Sequence, residues 1–231
     1  MGETLAEAFA LIGALDREVV AIAGLSLQVS LAAVALAGLI GLPLGALVAV
    51  ARFPGRGAAI AVLNALMGLP PVVVGLVIYL LLSRSGPLGA LGLLFTPGAM
   101  ILAQAVLVTP VVAALTRQVV EDADRELGET LRSLRLSLPQ RVRVLLFDAR
   151  FSLVVAGLAA FGRAVSEVGA VLVVGGNIAG HTRTMTTAIS LETQKGDLPL
   201  ALALGIVLIA LVLAVNAAAS ALRAYSMRAY G

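Results

Sequence analysis

Two charged residues, Arg163 and Glu167, lie within a largely apolar stretch of the chain between Phe151 and Gly176. An unpaired arginine in the middle of a bilayer costs on the order of 3 kcal/mol, so Arg163 needs a partner or an aqueous surrounding. The spacing of four residues would put Glu167 on the same face of a helix. Two interpretations stay open: an ion pair that fixes packing, and a gate or contact for a passing anion. A carboxylate repels an anion, so Glu167 fits a gate or a packing element better than a ligand.

Hydroxyl and amide groups follow in the sequence G-G-N-I-A-G-H-T-R-T-M-T-T. Asn177 is preceded by two glycines, and Thr184, Thr186 and Thr187 come just before a predicted helix. The N–H groups at a helix N-terminus bind oxyanions, and threonine hydroxyls can add to such a site. The same threonines could instead cap a re-entrant or interfacial helix. We therefore predict that these residues, with Arg163 and Glu167, belong to a translocation pathway, and we keep the capping alternative open.

Several kinds of chemistry are excluded by the composition. The chain has no cysteine and one histidine, His181, so we expect no metal site. No nucleophile–base arrangement is evident, and we expect no catalytic residue and no enzyme activity. The phosphate-binding motif G-x-x-x-x-G-K-[ST] does not occur, which excludes ATP binding of that kind, and we expect no cofactor. The formal net charge is +3, and we attribute this excess of basic residues to the positive charge that cytoplasmic loops of membrane proteins retain. We therefore expect no nucleic-acid partner.

The elements that must position these residues are membrane helices. Of 231 residues, 60% are hydrophobic and 13% are charged, and the mean hydropathy is +1.06, which is typical of an integral membrane protein. A span needs about 20 apolar residues. Five segments qualify and predict an all-α polytopic bundle of five transmembrane helices: roughly 19–51, 58–82, 98–119, 150–175 and 198–222.

The arginines set the orientation, because cytoplasmic loops retain positive charge. Most of them follow the first, third and fifth segments, which predicts an external N-terminus and a cytoplasmic C-terminus. Residues 1–18 are then an external segment and residues 223–231 a cytoplasmic tail. The N-terminus is acidic and does not resemble a cleaved signal peptide.

The cytoplasmic segment 120–149 has a pattern of its own. Four leucines share one helical face, at positions Leu127, Leu131, Leu134 and Leu138. Ser137 followed by Gln140 predicts a capping box that opens a second helix, with Pro139 in its first turn. We therefore predict a helix, a break and a helix over about residues 126–147. Such a pair could lie on the membrane surface, be solvated, or dock into a groove of a cytoplasmic partner.

Two stretches resemble a known family. E-T-L-R-S-L-R, residues 129–135, resembles the E-A-A-x-x-x-G coupling motif of binding-protein-dependent ABC permeases. Residues 161–189 are similar to the oxyanion branch of these permeases, for molybdate, sulfate and tungstate. F-G-R-A-V-S-E and S-L-E-T-Q-K-G-D resemble the tungstate type most.

The resemblance implies the type I ABC importer permease fold over residues 19–222, in the prokaryotic plasma or inner membrane. It also implies a homodimer with two cytoplasmic ABC ATPase subunits and an extracytoplasmic solute-binding protein, surrounded by membrane lipid. The implied function is ATP-driven import of a tetrahedral oxyanion, with tungstate first and molybdate or sulfate as alternatives. An alternative of another class is a structural or assembly membrane protein whose cytoplasmic helix docks a partner.

The resemblance also implies which residues couple the chain to the ATPase: Glu129, Thr130, Leu131, Arg132, Leu134, Arg135 and Ser137. Glu129 could equally pair with Arg132 in its own helix. Arg135 stands where the motif has glycine, the residue that readily makes a turn. Its presence predicts a straighter junction, or a break that depends on Ser137 and Pro139.

Overall fold

The computed structural model describes residues 2–230, with side chains through Tyr225, so Gly231 of the predicted tail lies outside the described residues. These residues form ten α-helices, one turn of 3-10 helix at Gly89–Leu91, and no strand, which confirms the all-α prediction. The helices are α1 Gly2–Gly13, α2 Arg17–Val50, α3 Arg56–Leu66, α4 Pro71–Leu82, α5 Pro97–Ser133, α6 Leu138–Asp148, α7 Arg150–Val165, α8 Gly169–Gly175, α9 Met185–Lys195 and α10 Leu198–Tyr230.

Three helices, α2, α5 and α10, are individually long and apolar enough to cross a membrane within the described residues. Two bent pairs raise the number of spans to as many as five: α3 with α4, bent by 93°, and α6 with α7, bent by 75°. The predicted segment 58–82 is therefore two helices rather than one. Pro70 and Pro71 lack backbone N–H groups and disfavour helical geometry in the residue before them, which explains the break.

The predicted segment 150–175 is also interrupted, because α7 ends at Val165 and α8 begins at Gly169. By contrast, α2 runs through Pro43 as one helix. Gly41 allows it to approach α5 closely, since a methyl group at Gly41 would lie 2.9 Å from Val112 Cγ1 and 3.1 Å from the backbone nitrogen of Ala113. Small residues thus bring helices together, as expected in a membrane.

The chain divides into two compact units. Unit 1 comprises the chain up to Ala33, Pro70–Gln104 and Gly162–Val215. In it α4 packs on α8, and a methyl group at Gly75 would lie 2.8 Å from Ala170 Cα. Unit 2 comprises Val34–Leu69, Ala105–Phe161 and the chain from Asn216 onward. Unit 1 holds all the predicted pathway residues, with Arg163 and Glu167 near the start of its third segment, and unit 2 holds the predicted coupling residues.

Candidate functional site

The segment 120–149, which the sequence predicts to be cytoplasmic, folds as a helix, a break and a helix, in agreement with the sequence pattern. Its first helix is not a separate element, however, because α5 continues from Pro97 to Ser133 without interruption. Leu131 is buried beside Leu145 in unit 2, with Leu127 packed against them. Leu134 and Leu138 are 63% and 38% exposed. Two of the four leucines in the predicted stripe therefore pack inside unit 2 and two are exposed, because the helical periodicity stops where α5 ends.

The break is a left-handed turn at Arg135, whose φ is +54°. Its N–H donates to the carbonyl of Arg132 at 2.9 Å, and the N–H of Leu136 donates to the carbonyl of Leu131 at 3.4 Å. These two bonds define a Schellman motif, in which glycine is the preferred residue at the turn. The prediction of a straighter junction is therefore wrong. Arg135 adopts the conformation that a glycine would adopt, at a cost of roughly 1 kcal/mol.

We expect Arg135→Gly to raise the free energy of unfolding by about 0.5–1 kcal/mol, because glycine adopts the left-handed conformation without steric cost. The matched control is Arg132→Gly, which should lower it by about 1 kcal/mol, since Arg132 lies inside α5. Chemical denaturation of the purified protein in detergent measures both. Equal destabilisation by the two changes would contradict the assignment of the turn.

The start of α6 is capped through Gln140. Its Oε1 accepts the backbone N–H of Ser137 at 2.9 Å and the hydroxyl of Ser137 at 2.8 Å. Pro139 lies in the first turn of α6, where the missing N–H costs nothing. The predicted capping residues and the predicted start of the second helix are both confirmed.

Ion pairs hold α6 to α5 and fix the end of α5. Arg141 contacts Asp124 at 2.8 Å, with side chains 15% and 21% exposed. Glu121 contacts Arg117 at 2.7 Å and also binds Arg56. The sequence analysis missed this network. The spacing of four residues between Arg117 and Glu121 is the sequence feature that could have predicted part of this network. No neighbouring residue in the sequence indicates that Arg56 takes part.

Arg56 also completes the end of α2. Its Nε donates to the carbonyl of Val48 at 2.9 Å, and its Nη2 donates to the carbonyl of Ala49 at 3.1 Å. The last carbonyls of a helix lack partners inside the helix and attract cations. Arg56 therefore joins the end of α2, the beginning of α3 and, through Glu121, α5.

The predicted coupling residues separate into exposed and buried members. Leu131 is 6% exposed and packs inside unit 2, so it supports the segment rather than facing a partner. The exposed members are Glu129, Thr130, Arg132, Leu134, Arg135 and Ser137. Glu129 and Arg132 line a polar cavity of about 410 Å³, together with Arg52, Arg56 and Arg125. Glu129 forms no ion pair with the described residues, so the alternative pairing with Arg132 does not occur.

Arg163 and Glu167 do not form the ion pair that their spacing predicts. Helix α7 ends at Val165, between them, and the shared helix face is lost. Glu167 turns to the next helix, where its Oε1 accepts the N–H of Ala170 at 3.3 Å. Arg163 is exposed and has no ion-pair partner within residues 2–225. In the structure Glu167 thus contacts the start of α8, and Arg163 remains without an ion-pair partner among the described residues.

A buried amide supports the interruption between α7 and α8. Gln104 is 3% exposed, and its Nε2 donates to the carbonyl of Ala164 at 2.9 Å, close to the end of α7. On the other side of the break, the hydroxyl of Thr186 donates to the carbonyl of Glu167 at 2.8 Å. The sequence analysis did not single out Gln104. Its signal was a lone amide in an apolar run, where an unpaired polar group is costly.

The three predicted pathway threonines are buried and form hydrogen bonds within the protein. Thr184, Thr186 and Thr187 are 4%, 8% and 1% exposed. The N–H of Thr184 donates to the hydroxyl of Thr187 at 3.0 Å, which caps α9. Asn177 has a φ of +50°, and its Nδ2 donates to the carbonyl of Thr187 at 3.3 Å. These contacts support the capping alternative that the sequence left open.

One hydrogen bond to a distant residue and two ion pairs between nearby residues hold α9 in unit 1. The N–H of Met185 donates to the hydroxyl of Ser26, 3% exposed, at 2.7 Å. Glu192, 4% exposed, contacts Arg183 at 3.5 Å and Lys195 at 3.0 Å. The sequence analysis missed both sets of contacts: Ser26 belongs to no recognisable motif, and the stretch that contains Glu192 was used only for its family resemblance.

Comparison with known proteins identifies the family. The family described as "Binding-protein-dependent transport system inner membrane component" matches residues 41–229. A "Probable anion ABC transporter permease protein" of Haloferax volcanii is 46% identical over 86% of this chain and 88% of its own length. A "Tungstate uptake system permease protein TupB" of Peptoclostridium acidaminophilum is 40% identical over 94% of this chain and 95% of its own length.

A solved structure of the MetNI methionine ABC transporter in an inward-facing form matches with a TM-score of 0.70. The match covers 90% of this chain and 95% of that chain at 22% identity, so it shows the shared fold alone. The long apolar helices and the family match establish an integral membrane protein. The chain belongs to the family of inner membrane components of binding-protein-dependent transport systems.

Proposed function

We propose that this chain is the transmembrane permease subunit of an ATP-driven importer for a tetrahedral oxyanion, and that the anion is tungstate. The observation that carries the proposal is the similarity to a tungstate uptake permease, 40% identical along 94% of the chain. The relative named as an anion transporter permease supports the same class of substrate. Molybdate and sulfate are the alternatives.

The proposal assigns the chemistry of ATP to other subunits. The sequence has no phosphate-binding loop, and the permease does no covalent chemistry. A homodimer of this chain binds two cytoplasmic ATPase subunits through α6 and the end of α5. An extracytoplasmic binding protein delivers the anion to the other side. The exposed and unpaired Glu129 supports the docking role, because a partner can supply the missing cation.

The pathway is proposed to use Arg163 as its cation. Arg163 is exposed in the isolated chain, and Glu167 does not neutralise it. In a dimer two copies of Arg163 could attract a dianion where the bilayer otherwise excludes it. Asn177, Thr184, Thr186 and Thr187 then shape the neighbouring loop, and Glu167 fixes the start of α8.

Transport by the reconstituted system tests this function. Proteoliposomes carry the permease with its ATPase, the binding protein is added outside, and metal analysis measures the accumulated anion. We expect tungstate uptake that requires both ATP and the binding protein, and that molybdate and sulfate inhibit only at higher concentration. Arg163→Gln should reduce uptake at least tenfold, and Arg84→Gln, the same change at another exposed arginine of unit 1, should not. Uptake without ATPase, or preferential uptake of molybdate or sulfate, would contradict the proposal.

The capping role of Thr184 gives a separate expectation. Thr184→Ala should lower the free energy of unfolding by about 1 kcal/mol, because it removes the Thr184 hydroxyl, which lies 3.1 Å from that of Thr187 in the cap of α9. The KM for tungstate uptake should stay within about twofold. The control is Thr193→Ala on the exposed side of α9, which should change stability by less than about 0.5 kcal/mol. A large increase in KM at unchanged stability would instead assign Thr184 to the anion.

A further inference from the structure

A cavity of about 490 Å³ opens in unit 2 between α5, α7 and α10. Its volume is within the range of ligand sites, roughly 300–1,000 Å³. None of the predicted coupling or pathway residues lines it. The cavity is therefore separate from the sites described above.

The lining changes from polar to apolar along the helices. In α5 the apolar Leu115 precedes the polar Asp122 by about two turns, with Gln118 and Val119 between them, and in α7 the polar Ser152 precedes the apolar Ala159 by about two turns. The end of α5 and the beginning of α7 both adjoin α6, so the polar end of the cavity is the end nearer α6. Arg223, in the last part of α10, also lines the cavity. The cavity therefore has a polar mouth and an apolar interior about 10 Å deep.

Aromatic and cationic side chains surround the polar mouth. The guanidinium of Arg150 lies 4.5 Å from the ring centroid of Phe147 and 4.7 Å from that of Phe151. Phe151 contacts Tyr225 edge to face, with ring centroids 6.3 Å apart. Tyrosine and arginine are typical of the level of lipid headgroups. These residue types favour a mouth at the membrane–water interface, with its interior toward the hydrocarbon.

The charge at the mouth favours an anion. Asp122 is the acidic residue of the lining, and Arg125 contacts it at 2.9 Å. Arg223 forms no ion pair with the side chains described here. The net charge available to a ligand is thus positive, and a phosphate is the anionic group found at this depth of a membrane.

We infer that this cavity binds an anionic glycerophospholipid, with its phosphate at Arg223 and one acyl chain along Leu115, Val155 and Ala159. The polarity gradient matches the two parts of such a molecule. A second copy of this chain would also bury the apolar surface, and the experiment below distinguishes it from a lipid. The lipid supplies both the apolar chain and the counter-charge.

Native mass spectrometry of the full-length permease tests the inference. The protein is released from detergent after incubation with equal amounts of phosphatidylglycerol and phosphatidylcholine. We expect preferential retention of phosphatidylglycerol by about fivefold, which corresponds to about 1 kcal/mol for one arginine near the surface. Arg223→Gln should remove the preference, and Arg223→Lys should restore most of it. Arg143→Gln, an equal loss of charge on the exposed face of α6, should leave it unchanged.

Filling the apolar interior provides the second arm. Ala159→Phe should reduce retention of both lipids, provided that the variant elutes in the same oligomeric state as the unmodified protein. Equal retention of the two lipids by the unmodified protein would overturn the inference. So would an Arg143→Gln effect as large as that of Arg223→Gln, or a loss of dimer in Ala159→Phe with lipid retained, which would assign the cavity to a second copy. Lipid retention uses neither ATP nor tungstate, so its failure would leave the proposed function untouched.

Discussion

Glu129→Lys should reduce ATP-dependent uptake and binding-protein-stimulated ATPase activity at least tenfold. Glu129 has no ion-pair partner among the described side chains, and Arg52, Arg56, Arg125 and Arg132 line the same cavity. Lysine there would add a cation to a cavity that Glu121 and Asp124 line together with the four arginines, and it would repel a basic group of the ATPase. Because no internal contact is lost, the free energy of unfolding should change by less than about 0.5 kcal/mol.

The matched control for this change is Glu126→Lys, which makes the same change in charge at another exposed position of α5. It should retain most of the uptake. Copurification of the ATPase with each variant distinguishes a variant that no longer binds the ATPase from one that binds it but no longer couples ATP hydrolysis to transport. Equal impairment by the two variants would indicate a general effect of charge and would contradict the assignment of Glu129.

Glu121→Gln should lower the free energy of unfolding by about 2–3 kcal/mol. Glu121 is 19% exposed and joins Arg117, 11% exposed, to Arg56. Removing one partner of a largely buried ion pair leaves the other charge uncompensated, which is the costly case. Arg56 would also hold the carbonyls of Val48 and Ala49 less firmly, so the end of α2 should loosen.

The neighbouring Asp122 provides the control for Glu121. Asp122 pairs with Arg125 at 2.9 Å, but the two side chains are 69% and 75% exposed. Asp122→Asn should therefore cost less than about 0.5 kcal/mol. Thermal unfolding of both variants in the same detergent makes the comparison. Similar unfolding midpoints for the two variants would show that Glu121 contributes no more to stability than the exposed Asp122. That result would contradict the buried ion-pair network.

Local patterns account for much of what could be predicted. The capping pair Ser137 and Gln140 lies within one helical turn, so the start of α6 follows from neighbouring residues alone. The length and the apolar composition of the segments indicated membrane helices. The free energy of inserting a segment into lipid is a sum over its residues, and it is favourable only when about 20 consecutive residues are mostly apolar. The resemblance of residues 129–135 and 161–189 identified the family that the comparisons confirm.

The same reasoning failed where a helix boundary decided the outcome. The spacing of Arg163 and Glu167 predicts a pair only if one helix holds both, and α7 ends between them. Arg135 predicted a straighter junction, or a break that depends on Ser137 and Pro139, because arginine resists the left-handed conformation. The turn forms there nonetheless, since Leu131 and Leu136 are drawn into the core of unit 2 around Leu145. A packing gain over several side chains outweighs a strain of about 1 kcal/mol at one residue.

The sequence by itself determined that the chain is a membrane protein, where α6 begins, and which family it belongs to. Tertiary structure alone decided that Glu121 meets Arg56, 65 residues away, that Ser26 meets Met185, and that Thr184, Thr186 and Thr187 are buried. The physical reason is the range of the interactions. Hydropathy and capping act between neighbours and can be read in order along the chain, whereas buried ion pairs and hydrogen bonds between distant residues exist only after helices pack.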